Sequence, residues 1–205
     1  MSDQSTELYV AAKQGNTDVV KELLTHSNID VNKGDESSTP LYIAADQGYT
    51  EVVKELLTHS DIDVNKGDES AVQWGHTEVV KELLTHSNID VNKEDASSTP
   101  LYRAALLGHT EVVKQLLKHR DIAVNKEGLS GTSLLYIAAK QGHTDVVKEL
   151  LTHSNTDVNK GGELGTPLYV AAEKGHTEVV KELLTHSNTD VNWEGVSGTP
   201  LYIAA

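Results

Sequence analysis

The residues of this 205-residue chain best suited to chemistry are its ten histidines. They occupy two recurring positions. His76, His109, His143 and His176 each follow a glycine, while His26, His59, His86, His119, His153 and His186 each follow Leu-Leu-Thr or Leu-Leu-Lys. A metal site needs a convergent ligand set, such as two histidines four apart on one helix face with a glutamate between them. No such pair occurs. The second group stands at a helix end, where a ring can meet the open carbonyls and interact with the helix dipole. Thr-His-Ser shares residue types with a hydrolytic triad, but a triad is defined by geometry, not by sequence neighbours. Gly128-Leu-Ser-Gly131 and Gly195-Val-Ser-Gly198 lack the nucleophile-elbow spacing and read as turns. The acidic pairs Asp35-Glu36, Asp68-Glu69 and Glu94-Asp95 lack the further oxygen ligands of a calcium loop. Without cysteine, thiolate chemistry and disulfides are excluded. No catalytic residue, cofactor or metal site is assigned, and a non-enzyme is expected.

Composition narrows the partners. Seventeen basic residues against 31 acidic ones give a net charge of −14, which disfavours a phosphate backbone or an anionic membrane surface. No run approaches the roughly 18 apolar residues of a membrane helix, and the first residues lack the basic flank and apolar core of a signal peptide. A cytoplasmic protein is expected, with the nucleus as the intracellular alternative.

The elements that position these residues repeat. Val-Val-Lys-Glu-Leu-Leu or a near copy begins at Val19, Val52, Val79, Val112, Val146 and Val179, with successive gaps of 33, 27, 33, 34 and 33. From each preceding glycine (Gly15, Gly48, Gly75, Gly108, Gly142, Gly175) to the asparagine closing Val-Asn the distance is always 17 residues. All length variation therefore lies between that asparagine and the next glycine.

Each unit reads as two short helices and a turn. Thr39, Thr99, Thr166 and Thr199 can cap the first helix, and the proline that follows suits its first turn. Leu-Tyr-Ile-Ala-Ala supplies a small apolar helix, ended by a glycine such as Gly48 in a left-handed conformation. The second helix is expected to begin with threonine of His-Thr-Glu as its N-cap, and its Val-Val and Leu-Leu pairs form one apolar stripe. One unit cannot bury that stripe alone, whereas stacked units can. The alanine pair sets how closely they stack.

The pattern Thr-Pro-Leu-Tyr-Ile-Ala-Ala-x-x-Gly-x-Thr-Glu-Val-Val-Lys-Glu-Leu-Leu followed by Asp-Val-Asn closely resembles the ankyrin repeat. Tyr42 and its equivalents stand where that family usually has histidine. The resemblance implies an all-α fold, an ankyrin-repeat solenoid of stacked helix-turn-helix units with projecting turns, over 1–205 as a single array. Its units are about 6–38, 39–65, 66–98, 99–131, 132–165, 166–198 and a partial 199–205. It also implies a monomeric, non-enzymatic scaffold that binds another protein on a concave face of short helices and finger turns. Ankyrin repeats are substrates of an asparaginyl hydroxylase that favours Leu, five residues, then Asp-Val-Asn. Asn32, Asn65, Asn92, Asn159 and Asn192 match that pattern, and Asn125 departs from it because Ala123 replaces the aspartate. An asparagine that bonds the turn backbone is the alternative role.

Irregularities mark where function could enter. The third unit lacks the Ser-Thr-Pro-Leu-Tyr-Ile portion of its first helix, so it is the expected weak point of the stack. The fifth carries one extra residue, Thr132-Ser-Leu-Leu-Tyr136, and a small adjustment at the helix start accommodates it. The chain ends halfway through a unit, at Leu201-Tyr-Ile-Ala-Ala205, as a fragment of a larger enzyme, channel or signalling protein would. Between Ala-Ala and Gly the units are polar except at Trp74, Leu106 and Leu107, and the fourth unit adds Arg103 and Arg120. A tryptophan beside leucine and arginine has the composition of a binding hot spot. Equally, Trp74 and its neighbours could fill the space left by the missing helix.

Overall fold

The structure, a computed structural model, describes residues 3–35, 38–66, 75–94, 98–195 and 197–205. It divides into two compact units, Met1–Lys93 and Glu94–Ala205. The first holds α1 (Gln4–Lys13), α2 (Thr17–Leu24), α3 (Pro40–Asp46), α4 (Thr50–Leu57) and α5 (Thr77–Leu83). Here α1 packs on α2 and α3, and α4 packs on α2, α3 and α5. The second holds α6 (Pro100–Leu107), α7 (Thr110–Leu117), α8 (Leu134–Gln141), α9 (Thr144–Thr152), α10 (Pro167–Glu173), α11 (Thr177–Thr185) and α12 (Pro200–Ile203). In it α6, α8, α10 and α12 form one row, and α7, α9 and α11 form the other. The deleted portion of the third unit and Trp74 fall on 67–74, outside the described residues.

The first helix of each pair forms for local reasons. The side-chain oxygens of Thr39, Thr99, Ser133, Thr166 and Thr199 accept the N–H of the tyrosine three residues on, at 3.1 to 3.4 Å. Ser133 shows how the extra residue of the fifth unit is absorbed. It takes over the cap, Leu134 takes the proline's place, and Thr132 is pushed back into the preceding turn, where its carbonyl accepts the Gly128 N–H at 2.9 Å. Gly108 and Gly142 terminate α6 and α8 at φ of 75° and 76°. Ala44, Ala104, Ala138 and Ala171 are fully buried, so a larger side chain there would force the rows apart.

The second helix starts differently from expectation. His76, His109, His143, His176, Tyr49 and Asn16 occupy the N-cap, and threonine is the first helical residue. The tight turn after the left-handed glycine places the residue behind it outside the helix, and the threonine hydroxyl turns back to the glycine carbonyl instead. Thr50 reaches Gly48 at 3.5 Å and Thr77 reaches Gly75 at 3.4 Å. The valine and leucine stripe of these helices is buried, while their Lys and Glu residues form exposed pairs such as Lys54–Glu51 at 2.7 Å and Lys148–Glu182 at 3.7 Å. Pairs of this kind add at most about 1 kcal/mol each.

Candidate functional site

The histidines and asparagines hold the repeats together. The imidazole Nε2 of His76, His143 and His176 bonds the carbonyl of Asp46, Leu106 and Lys140 respectively, at 2.9 to 3.1 Å. Each ring thereby closes the helix end of the preceding repeat and covers its glycine. A Cβ on Gly48, Gly108 or Gly142 would come within 2.7 to 2.8 Å of the ring. The other histidines behave differently from expectation. Nδ1 of His59, His86, His119, His153 and His186 accepts the backbone N–H two residues on, at 3.2 to 3.4 Å. The chain reverses straight after the helix and brings that N–H, not an open carbonyl, to the ring. Among the described residues no group of three or more His, Asp or Glu is arranged to hold a metal ion.

Asn32, Asn65 and Asn159 each bridge to the next repeat. Their Nδ2 atoms donate to the carbonyls of Asp61, Asn88 and Asn188 at 2.6 to 2.7 Å, and their Oδ1 atoms accept the N–H of Asp63, Asp90 and Asp190 at 2.8 Å. Asn125 makes the same pair, with its accepted bond stretched to 3.4 Å. The aspartate two residues earlier orients each of Asn32, Asn65, Asn92, Asn159 and Asn192 by accepting its N–H at 3.0 to 3.1 Å. In the first repeat Ser5 replaces the asparagine, taking the Asp30 N–H at 3.0 Å, and Lys33 pairs with Asp3. That contact holds the Asp3 carboxyl below its usual range.

Arg103, Leu106 and Leu107 lie together on α6. Spaced three and four residues apart, they share a helix face turned away from the buried Ala104 and Ala105. Leu107 is 43% exposed and Leu106 half-buried, and Arg103 reaches the Ser98 hydroxyl at 3.4 Å. Arg120 is on a different element, past the end of α7, with its side chain 90% exposed and paired to Asp121 at 3.1 Å. Of the five predicted residues, the structure groups three and sets Arg120 apart, and Trp74 lies outside the described residues.

A further set was not singled out from the sequence. The tyrosine of one repeat meets the hydroxyl residue that precedes the helix cap of the next. Tyr9 shares a 2.9 Å bond with Ser38, and Tyr102 a 2.6 Å bond with Thr132. The corresponding residue facing Tyr136 is Gly165, so the Tyr136 hydroxyl, in a residue only 1% exposed, lacks the side-chain partner that Tyr9 and Tyr102 have. Among the described residues only the Leu164 backbone approaches it, without good hydrogen-bond geometry. Burial pushes its phenol up from 10.0. Tyr102→Phe should therefore cost about 1 kcal/mol, whereas Tyr136→Phe should be neutral or stabilise by up to about 1 kcal/mol, because it removes an unmatched buried hydroxyl. In alkali the unfolded chain ionises Tyr136 first, so its contribution is present below pH 10 and lost as pH rises through the folded value. Denaturant titration of both variants at pH 7.5 and above pH 10 checks this, and the Tyr136→Phe protein should show the shallower alkaline decline.

Helix pairs closed by left-handed glycines and tied by asparagine bridges define a tandem-repeat protein built to present surface. The family described as ankyrin repeats, in three copies, matches residues 1–68, 69–162 and 135–205. The chain belongs to the ankyrin-repeat family, and its all-α fold is that family's solenoid of stacked helix pairs. Such repeats generally serve as protein–protein interaction modules, typically without catalysis. The ankyrin repeat protein EF0377 is similar at 29% identity and a TM-score of 0.81, over 91% of this chain and 100% of that one. The human ASB11 ankyrin repeat domain aligns at 26% identity and a TM-score of 0.80, over 98% and 92%. An ankyrin repeat domain from Acinetobacter baumannii AYE aligns at 26% and 0.78, over 87% and 96%. No curated protein matches the chain. No helix among the described residues is long and apolar enough to cross a membrane.

Proposed function

We propose that this chain is a non-enzymatic scaffold that binds a partner protein through the face of α6, with Leu107 and Leu106 as apolar anchors and Arg103 as the adjoining charge. The exposed Leu107 carries the argument. Four of its five equivalents, Gln14, Gln47, Gln141 and Lys174, are polar, and the fifth is Trp74, so the scaffold itself does not require leucine there. Trp74 and Arg120, which stands on a different element, are proposed as further partner-binding residues on the composition of their repeats. Asn32, Asn65, Asn92, Asn159 and Asn192 are proposed hydroxylation acceptors, to be read as a one-oxygen mass gain in the peptide that carries each.

Leu107→Ala and Trp74→Ala test the proposal. Lost capture of the partner with an unchanged melting temperature is the expected result for both. A large fall in melting temperature, or partner capture that is unaffected, would show that these side chains pack the scaffold instead.

A further inference from the structure

Three departures from the repeat pattern meet at one place in the second unit. Position 193 is tryptophan where Lys33, Lys66, Lys93, Lys126 and Lys160 stand in the other repeats. Those lysines serve the stack: Lys66 and Lys160 donate to the carbonyls of Asn32 and Asn125 at 3.3 and 3.2 Å. Trp193 instead turns its ring onto Tyr169, edge to face, with centroids 5.3 Å apart. The second departure is Gly165, in the place of Ser38 and Thr132. It is at φ 138°, and a Cβ there would come within 2.3 Å of the Trp193 ring. The third is the orphaned Tyr136 hydroxyl, whose ring edge a Cβ on Gly162 would meet at 2.7 Å. The indole therefore occupies the space of the missing hydroxyl side chain, and an unmatched polar group is left behind the glycine turn.

Trp193 and Gly165 line an open groove of about 440 Å³, with Glu127, Lys160, Gly162 and Glu163 among its other walls, and Tyr136 is buried beneath it. Lys160 is paired to Glu127 at 2.9 Å, which leaves the exposed Glu163 carboxylate as the groove's net charge. An aromatic wall, a net negative charge and narrow glycine turns suit a planar cation carried on a slender backbone. Arginine fits best, since its guanidinium stacks on an indole and donates bidentately to a carboxylate. Net charge points the same way, because an acidic scaffold attracts cationic segments. We propose that the groove between Trp193 and Glu163 binds an arginine side chain of an extended segment from a partner protein, a site separate from the α6 face.

A fluorescein-labelled Gly-Arg-Gly-Arg-Gly peptide tests this by anisotropy at about 0.15 M salt, where non-specific attraction is screened. Saturable binding is expected, weaker by on the order of tenfold for the lysine peptide and absent for the glutamine peptide. Trp193→Lys, which restores the residue of the other repeats, should abolish binding without lowering the melting temperature. Glu163→Gln should weaken it several-fold, and Leu107→Ala should leave it unchanged. Equal binding of the glutamine peptide, or full binding by Trp193→Lys, overturns the proposal. Should Trp193→Lys fail to fold, unchanged binding by Glu163→Gln, an exposed and unpaired position, overturns it instead. Loss of binding in Leu107→Ala would assign the peptide to the α6 face and also overturn the separate site.

Discussion

Leu150→Ala is expected to be among the most damaging single changes in the second unit, at about 2–5 kcal/mol. Leu150 is 0% exposed on α9, which packs on α7, α8 and α11. Truncation removes the transfer energy of the side chain and leaves a cavity that three helices cannot easily close. In a solenoid the loss is felt at both neighbouring interfaces, because each repeat is stabilised mainly by those beside it. Its sequence neighbour Leu151, with the same chemistry, is only half-buried and should cost clearly less when truncated. Thermal and urea unfolding of the two variants provide the check. Equal losses would mean that α9 is not held through the Leu150 side of its stripe.

Much of this fold is legible in the sequence because it is encoded locally. Thr-Pro at a helix start, the left-handed glycine at its end and the alternation of apolar pairs act over a few residues, so each can be read inside one repeat. What sequence leaves hidden is the contact between repeats. Threonine of His-Thr-Glu has the chemistry of a cap, but the histidine before it is fixed by a carbonyl some 30 residues earlier, as in His76 with Asp46. The turn after the glycine sets where the helix starts, with Asn16 and Tyr49 as well as with histidine, and the tie adds a bond between repeats. Likewise Asn159 bonds a backbone turn, as its type suggests, but the turn belongs to the next repeat. The grouping of Arg103, Leu106 and Leu107 follows from helical spacing, and Arg120 falls away from it because α7 intervenes.

Trp193 was open to the same internal comparison that exposes Leu107, since it interrupts a column of lysines. Its consequence was not legible. Gly165 and Tyr136 are 28 and 57 residues away in sequence, and only the stacked fold brings the missing hydroxyl, the orphaned phenol and the indole to one turn. Departures from a repeat pattern are individually neutral. Their coincidence in space is what marks a site.

Gly142→Ala and Gly175→Ala separate the two roles of the glycines that end the first helices. Both residues have positive φ, 76° and 70°, so alanine costs about 1–2 kcal/mol at either through left-handed strain alone. At Gly175 nothing lies within 4 Å of the new Cβ, and the cost should stop there. At Gly142 the Cβ would meet the His176 ring at 2.8 Å. The ring must swing away and give up its bond to the Lys140 carbonyl, adding about 1 kcal/mol or more and bringing the total to about 2–4 kcal/mol. His176→Ala supplies the third corner of the comparison. In its background Gly142→Ala should cost no more than Gly175→Ala does in the parent, because the obstructing ring is gone. Equilibrium unfolding of the single and double variants measures this coupling directly. If the two glycine substitutions cost the same in the parent, the histidine does not clamp the helix end.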